Sequence, residues 1–196
     1  MAHTIPAADL ALGRRDFVKV CSAAAAAVGL PAWAGEKMAE KVAKGKKPSV
    51  VWLHFQECTG CTESLLRTSH PDVGALVLDL VSLDYHETLA AAAGHQIEAN
   101  LAAAKKAGGY VLVVEGAIPT KLDGNYCIVG GKTAMQSLVE CAEKAAAVIC
   151  IGSCASWGGV PSADPNPTGS TGAPKVLKDK GINKPVITLP GCPANP

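Results

Sequence analysis

An α/β fold, built on a doubly wound parallel sheet with helices on both faces, is predicted by two kinds of segment that alternate along the chain. Five continuous apolar, β-branched runs are typical of strands that are buried on both faces. They lie at 49–55, 75–83, 110–116, 147–152 and 185–189. Helix candidates accompany them at 62–68, 85–107, 132–145 and 173–180. A strand followed by a helix, repeated in this way, predicts βαβ units.

Local sequence supports the individual elements. The first apolar run, SVVWLHF, leads directly into QECTGCTESLL, where a helix is predicted to begin at Thr62. The long helix candidate at 85–107 is stopped by the glycine pair Gly108-Gly109. The chain has no internal repeat and no G-x-G-x-x-G fingerprint, and VGGKTA at 129–134 lacks the first glycine of a phosphate loop. A phosphate-binding loop is therefore not predicted.

Composition narrows the classes of function. The 196 residues suit one domain of ordinary size with a hydrophobic core, with or without tails. The formal net charge of +1 gives no basic face for nucleic acid and no charged block for a polyelectrolyte partner. Eight cysteines are many for this length, yet below the density of a disulfide-stabilised mini-protein.

The first 34 residues are predicted to be a twin-arginine signal peptide. Arg14 and Arg15 form the arginine pair, and a weakly apolar stretch follows at 20–30. Ala32-Trp33-Ala34 then offers small residues at the two positions that a signal peptidase reads. The apolar stretch is too short to span a bilayer, which takes about 20 apolar residues. Cys21 lies inside this stretch, so we expect it to be removed with the signal.

The mature chain is predicted to begin with a flexible, lysine-rich segment at 35–48, and the folded domain is predicted at 49–196. The twin-arginine route carries proteins that have already folded. We therefore expect a periplasmic protein, which could also associate with the membrane.

Four cysteines follow predicted strands on the same side of the sheet. Cys58 and Cys61 follow the first strand, Cys154 follows the fourth and Cys192 follows the fifth. The carboxyl ends of parallel strands meet at one edge, where open α/β sheets bind ligands. The remaining cysteines of the domain, Cys127, Cys141 and Cys150, do not share this placement. Cys127 falls in a loop or weak strand, and we expect Cys141 and Cys150 to act as small hydrophobic residues.

Three kinds of site are compatible with these four thiols. An iron–sulfur cluster needs four convergent thiolates, and nearby glycines leave backbone N–H groups free to point at sulfur. Structural zinc could use the same residues, although its ligands usually form two close pairs rather than one pair and two single cysteines. Disulfides are possible in the oxidising periplasm. However, a protein that forms only disulfides has no need to fold before it leaves the cytoplasm. The residues favour the cluster and leave zinc and disulfides open.

Several segments together resemble the small subunit of nickel–iron hydrogenases, and more distantly the cluster subunit of respiratory complex I. The resemblance extends from the leader almost to the last residue, and the combined motifs are specific. They are RRDFVKV, PSVVWLHFQECTGCTESLLR, SLDYHETLAAAAGH, VLVVEGAIP, IGSCASWGGVPSADPNPTG and LPGCPANP.

The resemblance implies a flavodoxin-like domain that holds the proximal [4Fe-4S] cluster of a hydrogenase. The matching ligand positions are Cys58, Cys61, Cys154 and Cys192. The nickel–iron centre would lie in a separate large subunit, with which this chain forms a heterodimer, and electrons would pass to a cytochrome or another redox acceptor. The family also has a C-terminal half with [3Fe-4S] and [4Fe-4S] clusters, which this sequence does not contain. We interpret the sequence as a fragment.

Other residues receive more specific expectations. Glu57 and Glu115 could face the partner subunit, where a carboxylate would bind across the interface or relay protons. His54, His86 and His95 are expected to be structural, and Trp157 is expected to shield the site from water. Oxygen-tolerant members of the resembled family carry extra cysteines at positions that Thr59-Gly60 and 155–163 occupy here. The resemblance therefore implies the standard, oxygen-sensitive type.

A second class of function stays open, namely an exported iron–sulfur or zinc-binding carrier or sensor that has no large partner. A hydrogenase subunit should leave an apolar surface around the four cysteines for its partner. A self-contained carrier should cover that surface.

Overall fold

A five-stranded parallel sheet forms the centre of the computed structural model, which describes residues 47–195. Its strands are β1 (Ser49–His54), β2 (Ser82–His86), β3 (Val111–Glu115), β6 (Ala147–Ile151) and β7 (Val186–Leu189). Between β3 and β6 lies an antiparallel hairpin of β4 (Ile128–Val129) and β5 (Lys132–Thr133). The sheet has the order β2-β1-β3-β6-β7. Without the hairpin strands this is the 2-1-3-4-5 order of flavodoxin-like folds, so the predicted fold class is confirmed.

Helices connect the strands. They are α1 (Gly60–Leu65), α2 (Val73–Ala75), α3 (His95–Ala107), α4 (Ala134–Lys144), α5 (Gly152–Trp157) and α6 (Ala173–Asp179). A π-helical turn at Leu76–Leu80 continues α2, and short 3-10 turns lie at Lys121–Gly124 and Val160–Ser162. A capping box begins α4: the Thr133 hydroxyl accepts from the Gln136 N–H at 3.3 Å, and the Gln136 side chain accepts from the Thr133 N–H at 3.0 Å.

The connection from β1 to β2 differs from the prediction. The run at 75–83, predicted as a strand, forms the end of α2, the π-helical turn and only the start of β2. A short apolar run fits a buried helix as well as a strand. Here Asp72 caps α2, because its carboxylate accepts a hydrogen bond from the Ala75 N–H at 2.8 Å.

The helix predicted at 85–107 is also shorter than expected. Its first two residues belong to β2, and α3 begins at His95, after Gly94 with a φ of +55°. Within α3 the buried residues are Ile97, Leu101 and Ala104, which share one face at helical spacing. The sequence pattern therefore predicts the second half of this segment correctly and misses the strand and turn before it.

The two faces of the sheet carry different residues, because successive strand side chains point to opposite sides. One face joins α3 and α4 in the hydrophobic core. Its strand residues in the core include Val51, Leu53, Leu112, Val114, Val148 and Cys150. The other face carries Trp52, His54, His86 and Glu115, which are buried but lie outside that core cluster. The sheet register pairs His54 with Glu115 and Trp52 with His86, so these polar residues are neighbours.

The predicted signal peptide at 1–34 lies outside the described residues. The predicted flexible segment at 35–48 also lies outside them, apart from its last two residues. Among residues 47–195, no helix has both the length and the apolar character needed to cross a membrane.

Candidate metal centre

Four cysteines line one cavity at the carboxyl edge of the sheet. Cys58 follows β1, Cys61 lies in the first turn of α1, Cys154 lies in α5 directly after β6, and Cys192 follows β7. The empty space between its walls is about 280 Å³, part of which is open to solvent. It lies beside the ends of β1 and β3, where the strand order reverses, and such switch points are the usual ligand sites of doubly wound sheets.

Hydrogen bonds between the loops fix the relative positions of the cysteines. The Ser153 N–H donates to the Gly191 carbonyl at 2.8 Å, and the Gly191 N–H donates to the Ser153 hydroxyl at 3.2 Å. This reciprocal pair joins the segment of Cys154 to that of Cys192. On the other side, the Ser64 hydroxyl of α1 donates to the Ala194 carbonyl at 2.7 Å. The segments that carry the four thiols are thus tied to one another and to the sheet.

Glycines let the backbone approach the sulfur atoms closely. Gly152 has a φ of +80°, and a Cβ added to it would overlap the Sγ of Cys61. Gly159 has a φ of +51°, and its added Cβ would lie 2.9 Å from the Sγ of Cys154. Both positions favour glycine through their backbone conformation and through the space that the thiols need. Gly152 also explains why Cys154 lies in a helix rather than on the predicted loop, because it turns the chain directly from β6 into α5.

The thiols lie in a setting that does not by itself stabilise thiolates. Burial raises the pKa of Cys61 and Cys154, and the negative charges of neighbouring thiols and carboxylates raise it further. Backbone hydrogen bonds act in the opposite direction, from Ala194 to Cys61 and from Val160 to Cys154. A bound metal cation would supply the positive charge that converts such thiols to ligands.

This donor set fits a thiolate-bound metal group. All the cysteines of residues 47–195 are free thiols, and four soft sulfur donors in one cavity suit an iron–sulfur cluster or zinc. The two N–H donors to sulfur are typical of cluster sites, which spread the charge of the thiolates in this way. These N–H groups belong to Val160 and Ala194, whereas the sequence pointed to nearby glycines as the donors.

Glu115 lies beneath the cysteine cavity and is only 1% exposed. Its carboxylate accepts hydrogen bonds from the Cys61 N–H at 3.0 Å and the Thr62 N–H at 3.2 Å. It also accepts from the Thr62 hydroxyl at 2.6 Å and from the Trp52 indole N–H at 3.1 Å. Glu115 is thus buried with its carboxylate occupied by internal donors, and its role at a partner interface or in a proton relay stays a prediction.

Glu57 is the more accessible of the two predicted acids. It lines the cavity, its side chain is 13% exposed, and its Oε1 lies 3.3 Å from both the His54 Nδ1 and the Thr59 hydroxyl. Its Oε2 has no hydrogen-bond partner among the described residues. The role of Glu57 at an interface or in a proton relay stays a prediction.

His54, Glu57 and Glu115 bring possible metal-ligand atoms within 4.8 Å of one another. The His54 Nδ1 lies 3.8 Å from the Glu115 Oε2. A carboxylate offers about four lone-pair sites, and Glu115 already accepts four hydrogen bonds. The three residues are therefore better described as a buried hydrogen-bonded cluster than as a second metal site.

The predicted structural histidines have different surroundings. His86 is fully buried and its ring centroid lies 4.6 Å from that of His54. Its Nδ1 accepts the N–H groups of Thr88 at 3.3 Å and Leu89 at 3.2 Å. Burial, and next the neighbouring His54, lower the pKa of His86 to about 3. This histidine is therefore neutral at ordinary pH, whereas His95 is exposed at the start of α3.

The other cysteines lie away from the four-cysteine cavity. Cys141 and Cys150 are buried in the hydrophobic core, where burial raises their pKa to about 11 and about 12. Cys127 precedes β4, is half-buried and packs against the same core. The prediction that Cys141 and Cys150 act as small hydrophobic residues agrees with this packing.

Among the described residues, most of the exposed large apolar side chains lie in the segments that follow β3 and β6 or at the end of β7, whereas Leu78 and Leu80 precede β2. Those of the first group are Leu122, Tyr126, Ile128, Trp157, Val160 and Leu189. Trp157 is 57% exposed and does not line the cavity, so it does not shield the four thiols as predicted. Cys58 and Cys192 are themselves exposed. Beside Cys154, this edge of the sheet combines accessible thiols with the exposed apolar side chains of Trp157 and Val160, a combination typical of a docking surface.

Residues 58–196 match the family described as NADH ubiquinone oxidoreductase, 20 Kd subunit. The chain is 52% identical over 187 residues to the Hydrogenase-2 small chain of Escherichia coli K12, which covers 94% of this chain and 49% of that protein. It is 48% identical over 187 residues to the periplasmic [NiFe] hydrogenase small subunit of Solidesulfovibrio fructosivorans, with coverages of 94% and 58%.

A solved structure has the same fold. A chain of the reduced, active Ni-Fe-Se hydrogenase of Desulfomicrobium baculatum matches with a TM-score of 0.76 at 38% identity, over 77% of this chain and 58% of that one. The present chain spans about half the length of the curated relatives that it matches.

Proposed function

We propose that this chain, which belongs to the family of the NADH ubiquinone oxidoreductase 20 Kd subunit, is the electron-transfer subunit of a periplasmic uptake hydrogenase. It corresponds to the N-terminal portion of a nickel–iron hydrogenase small subunit. It performs no bond chemistry itself. Its role is to hold a redox group at a fixed distance from a partner subunit that oxidises hydrogen or reduces protons.

The redox group is a proximal [4Fe-4S] cluster bound by Cys58, Cys61, Cys154 and Cys192. The observation that carries this assignment is that these four thiols line one cavity although they come from distant parts of the sequence. When bound, such a cluster stores and releases one electron at a time. The Ala194 and Val160 N–H groups donate to two of the ligand sulfurs and would help to set the potential.

The partner is the large subunit, which would hold the nickel–iron site. Exposed Cys58 and Cys192, together with the exposed apolar Trp157 and Val160, support a docking surface at the carboxyl edge of the sheet. A stable subunit interface needs such a largely apolar surface. Glu57 lines the same cavity, and it is the carboxylate that we assign to the interface or to a proton relay.

Electrons would leave through further [3Fe-4S] and [4Fe-4S] clusters of a C-terminal half, towards a cytochrome or another redox acceptor. The periplasmic location is supported by the name of the relative from Solidesulfovibrio fructosivorans. Export in the folded state, directed by residues 1–34, and association with the membrane belong to the same proposal.

Cysteine variants of the complex test this function. The full chain, with the subunits that co-purify with it under anaerobic conditions, is assayed for hydrogen-dependent reduction of a viologen dye. Cys192→Ser should lose at least about tenfold in the dye-reduction rate, because the cluster loses a ligand. The matched control Cys127→Ser, at a half-buried cysteine away from the cavity, should retain the rate. Equal rates in the two variants, or no nickel-containing partner with the native chain, would contradict the proposal.

A further inference from the structure

We propose that Glu115 is the positioning residue of Cys61, and that its buried carboxylate is the fixed negative charge beside the cysteine cavity. The positioning part depends only on the hydrogen bonds of Glu115. The part that concerns the redox potential rests on the proposed function.

The hydrogen bonds of Glu115 hold the start of α1. Two backbone N–H groups, of Cys61 and Thr62, donate to its Oε1 at 3.0 and 3.2 Å. The first N–H groups of a helix have no partner within the helix. No side chain caps α1 from its own N-cap residue, Thr59, which has a φ of +62°. Glu115 therefore supplies from β3 the acceptor that the local sequence of α1 does not provide.

The other carboxylate oxygen connects α1 to the sheet. The Thr62 hydroxyl donates to Oε2 at 2.6 Å, and the Trp52 indole N–H of β1 donates to it at 3.1 Å. Glu115 thus joins β3, β1 and α1 at one buried point. Because Cys61 lies in the helical turn that is held in this way, the direction of its thiol depends on Glu115. Glu57 makes no comparable bond to α1 beyond the hydroxyl of Thr59.

The charge of Glu115 acts at short range on the same thiol. Four donors surround the two oxygens of Glu115, which is the pattern of an ionised carboxylate, and its Oε1 lies 3.0 Å from the Cys61 nitrogen. The described residues that line the cavity include no lysine or arginine. A negative charge in this position disfavours the addition of an electron to a neighbouring group.

Two substitutions separate position from charge. In Glu115→Gln the amide oxygen can still accept the Cys61 and Thr62 N–H groups, and the charge is lost. The NH₂ group donates to the Thr62 hydroxyl, and the Trp52 indole N–H loses its acceptor. In Glu115→Ala every acceptor is lost. Glu57→Gln is the matched control, since it removes a carboxylate from the same cavity without removing an acceptor from Cys61 or Thr62.

The measurements are made on the full chain in its anaerobically purified complex. Hydrogen exchange of the peptide that contains the Cys61 and Thr62 amides reports on position, and does not require a bound cluster. We expect at least about tenfold faster exchange at these amides in Glu115→Ala, and exchange close to the native rate in Glu115→Gln and Glu57→Gln. A reductive titration followed by electron paramagnetic resonance should give a more positive potential for Glu115→Gln, with an unchanged iron content.

Each result decides a part of the proposal. Native-like exchange in Glu115→Ala overturns the positioning role. If Glu115→Ala does not fold, Glu115→Asp takes its place, because its carboxylate is one methylene shorter and draws back from the two amides. Faster exchange at these amides in Glu115→Asp supports the role, and unchanged exchange overturns it. An unchanged potential in Glu115→Gln overturns the effect of the charge. A native complex without iron and sulfide contradicts the proposed function instead, and the exchange result still decides the positioning role.

Discussion

Replacement of Gly152 by alanine tests whether close backbone approach shapes the cysteine cavity. Gly152 has a φ of +80°, and an added Cβ would overlap the Sγ of Cys61. Gly131, in the β4–β5 turn, is a matched control, because it has a φ of +78° and no atom lies within 4 Å of its added Cβ. Both alanine variants carry the strain of a left-handed L-residue, about 1–2 kcal/mol. Only Gly152→Ala also overpacks a neighbour, which costs a further 1–3 kcal/mol or so.

The free energy of unfolding, measured by urea denaturation of the full chain, should therefore fall by about 2–5 kcal/mol in Gly152→Ala and by about 1–2 kcal/mol in Gly131→Ala. Iron per chain should fall in Gly152→Ala, because the thiol of Cys61 must move, and should stay at the native level in Gly131→Ala. If the two variants lose the same stability and keep the same iron, the glycine is not there to make room for Cys61 and the reasoning is refuted.

Three further predictions concern protonation, redox chemistry and docking. The pKa of His86 is lowered to about 3 in the folded chain, whereas the unfolded chain binds this proton near pH 6.5. The free energy of unfolding should therefore fall as the pH drops from about 6.5 towards 3. Urea denaturation should show a smaller fall in His86→Gln. The proposed proximal cluster should show one reversible one-electron transition in an anaerobic redox titration, and two successive transitions would contradict the prediction of a standard, oxygen-sensitive type. Trp157→Ala should weaken binding of the proposed large subunit by about 2 kcal/mol. The measurement is the fraction of the complex that remains after dilution, and an unchanged fraction would place the interface elsewhere.

The contacts of Lys105 and Lys132 with Glu140 should make a small contribution to the free energy of unfolding that depends on pH. Their hydrogen bonds hold the pKa of Glu140 below its usual value. A depressed pKa stabilises the fold above the unfolded value and loses that effect as the pH falls through the folded pKa. Since these side chains are partly exposed, Glu140→Gln should cost only about 0.5 kcal/mol near neutral pH. Urea denaturation should show no difference from the native chain at a pH below the folded pKa, and a difference that persists there would contradict this origin.

The fold and the convergence of the cysteines follow largely from sequence, because both depend on the order of buried strands. Cys58, Cys154 and Cys192 each come directly after an apolar run, and the ends of parallel strands meet at one edge. The strand at 75–83 was predicted wrongly because a short apolar run has no periodicity that separates a strand from a helix. The true strand, SLDYH, contains Asp84 and His86 and does not resemble a strand buried on both faces.

The details of the site depend on contacts between residues that are distant in sequence. Glu115 stands out in the sequence at the end of an apolar run, but its inward turn to Cys61 and Trp52 depends on strand register, which decides which residues are neighbours. The same limit applies to Trp157, whose proximity to Cys154 in sequence suggested a shield although its side chain is exposed.

The most direct test of the account is the metal and sulfide content of the native protein. The full chain is purified anaerobically with the subunits that accompany it, and iron, acid-labile sulfide, zinc and nickel are measured per chain. The account predicts about four iron and four sulfide for this segment, with nickel in a larger partner. Zinc at the four cysteines, or no metal with the thiols joined in disulfides, would contradict it.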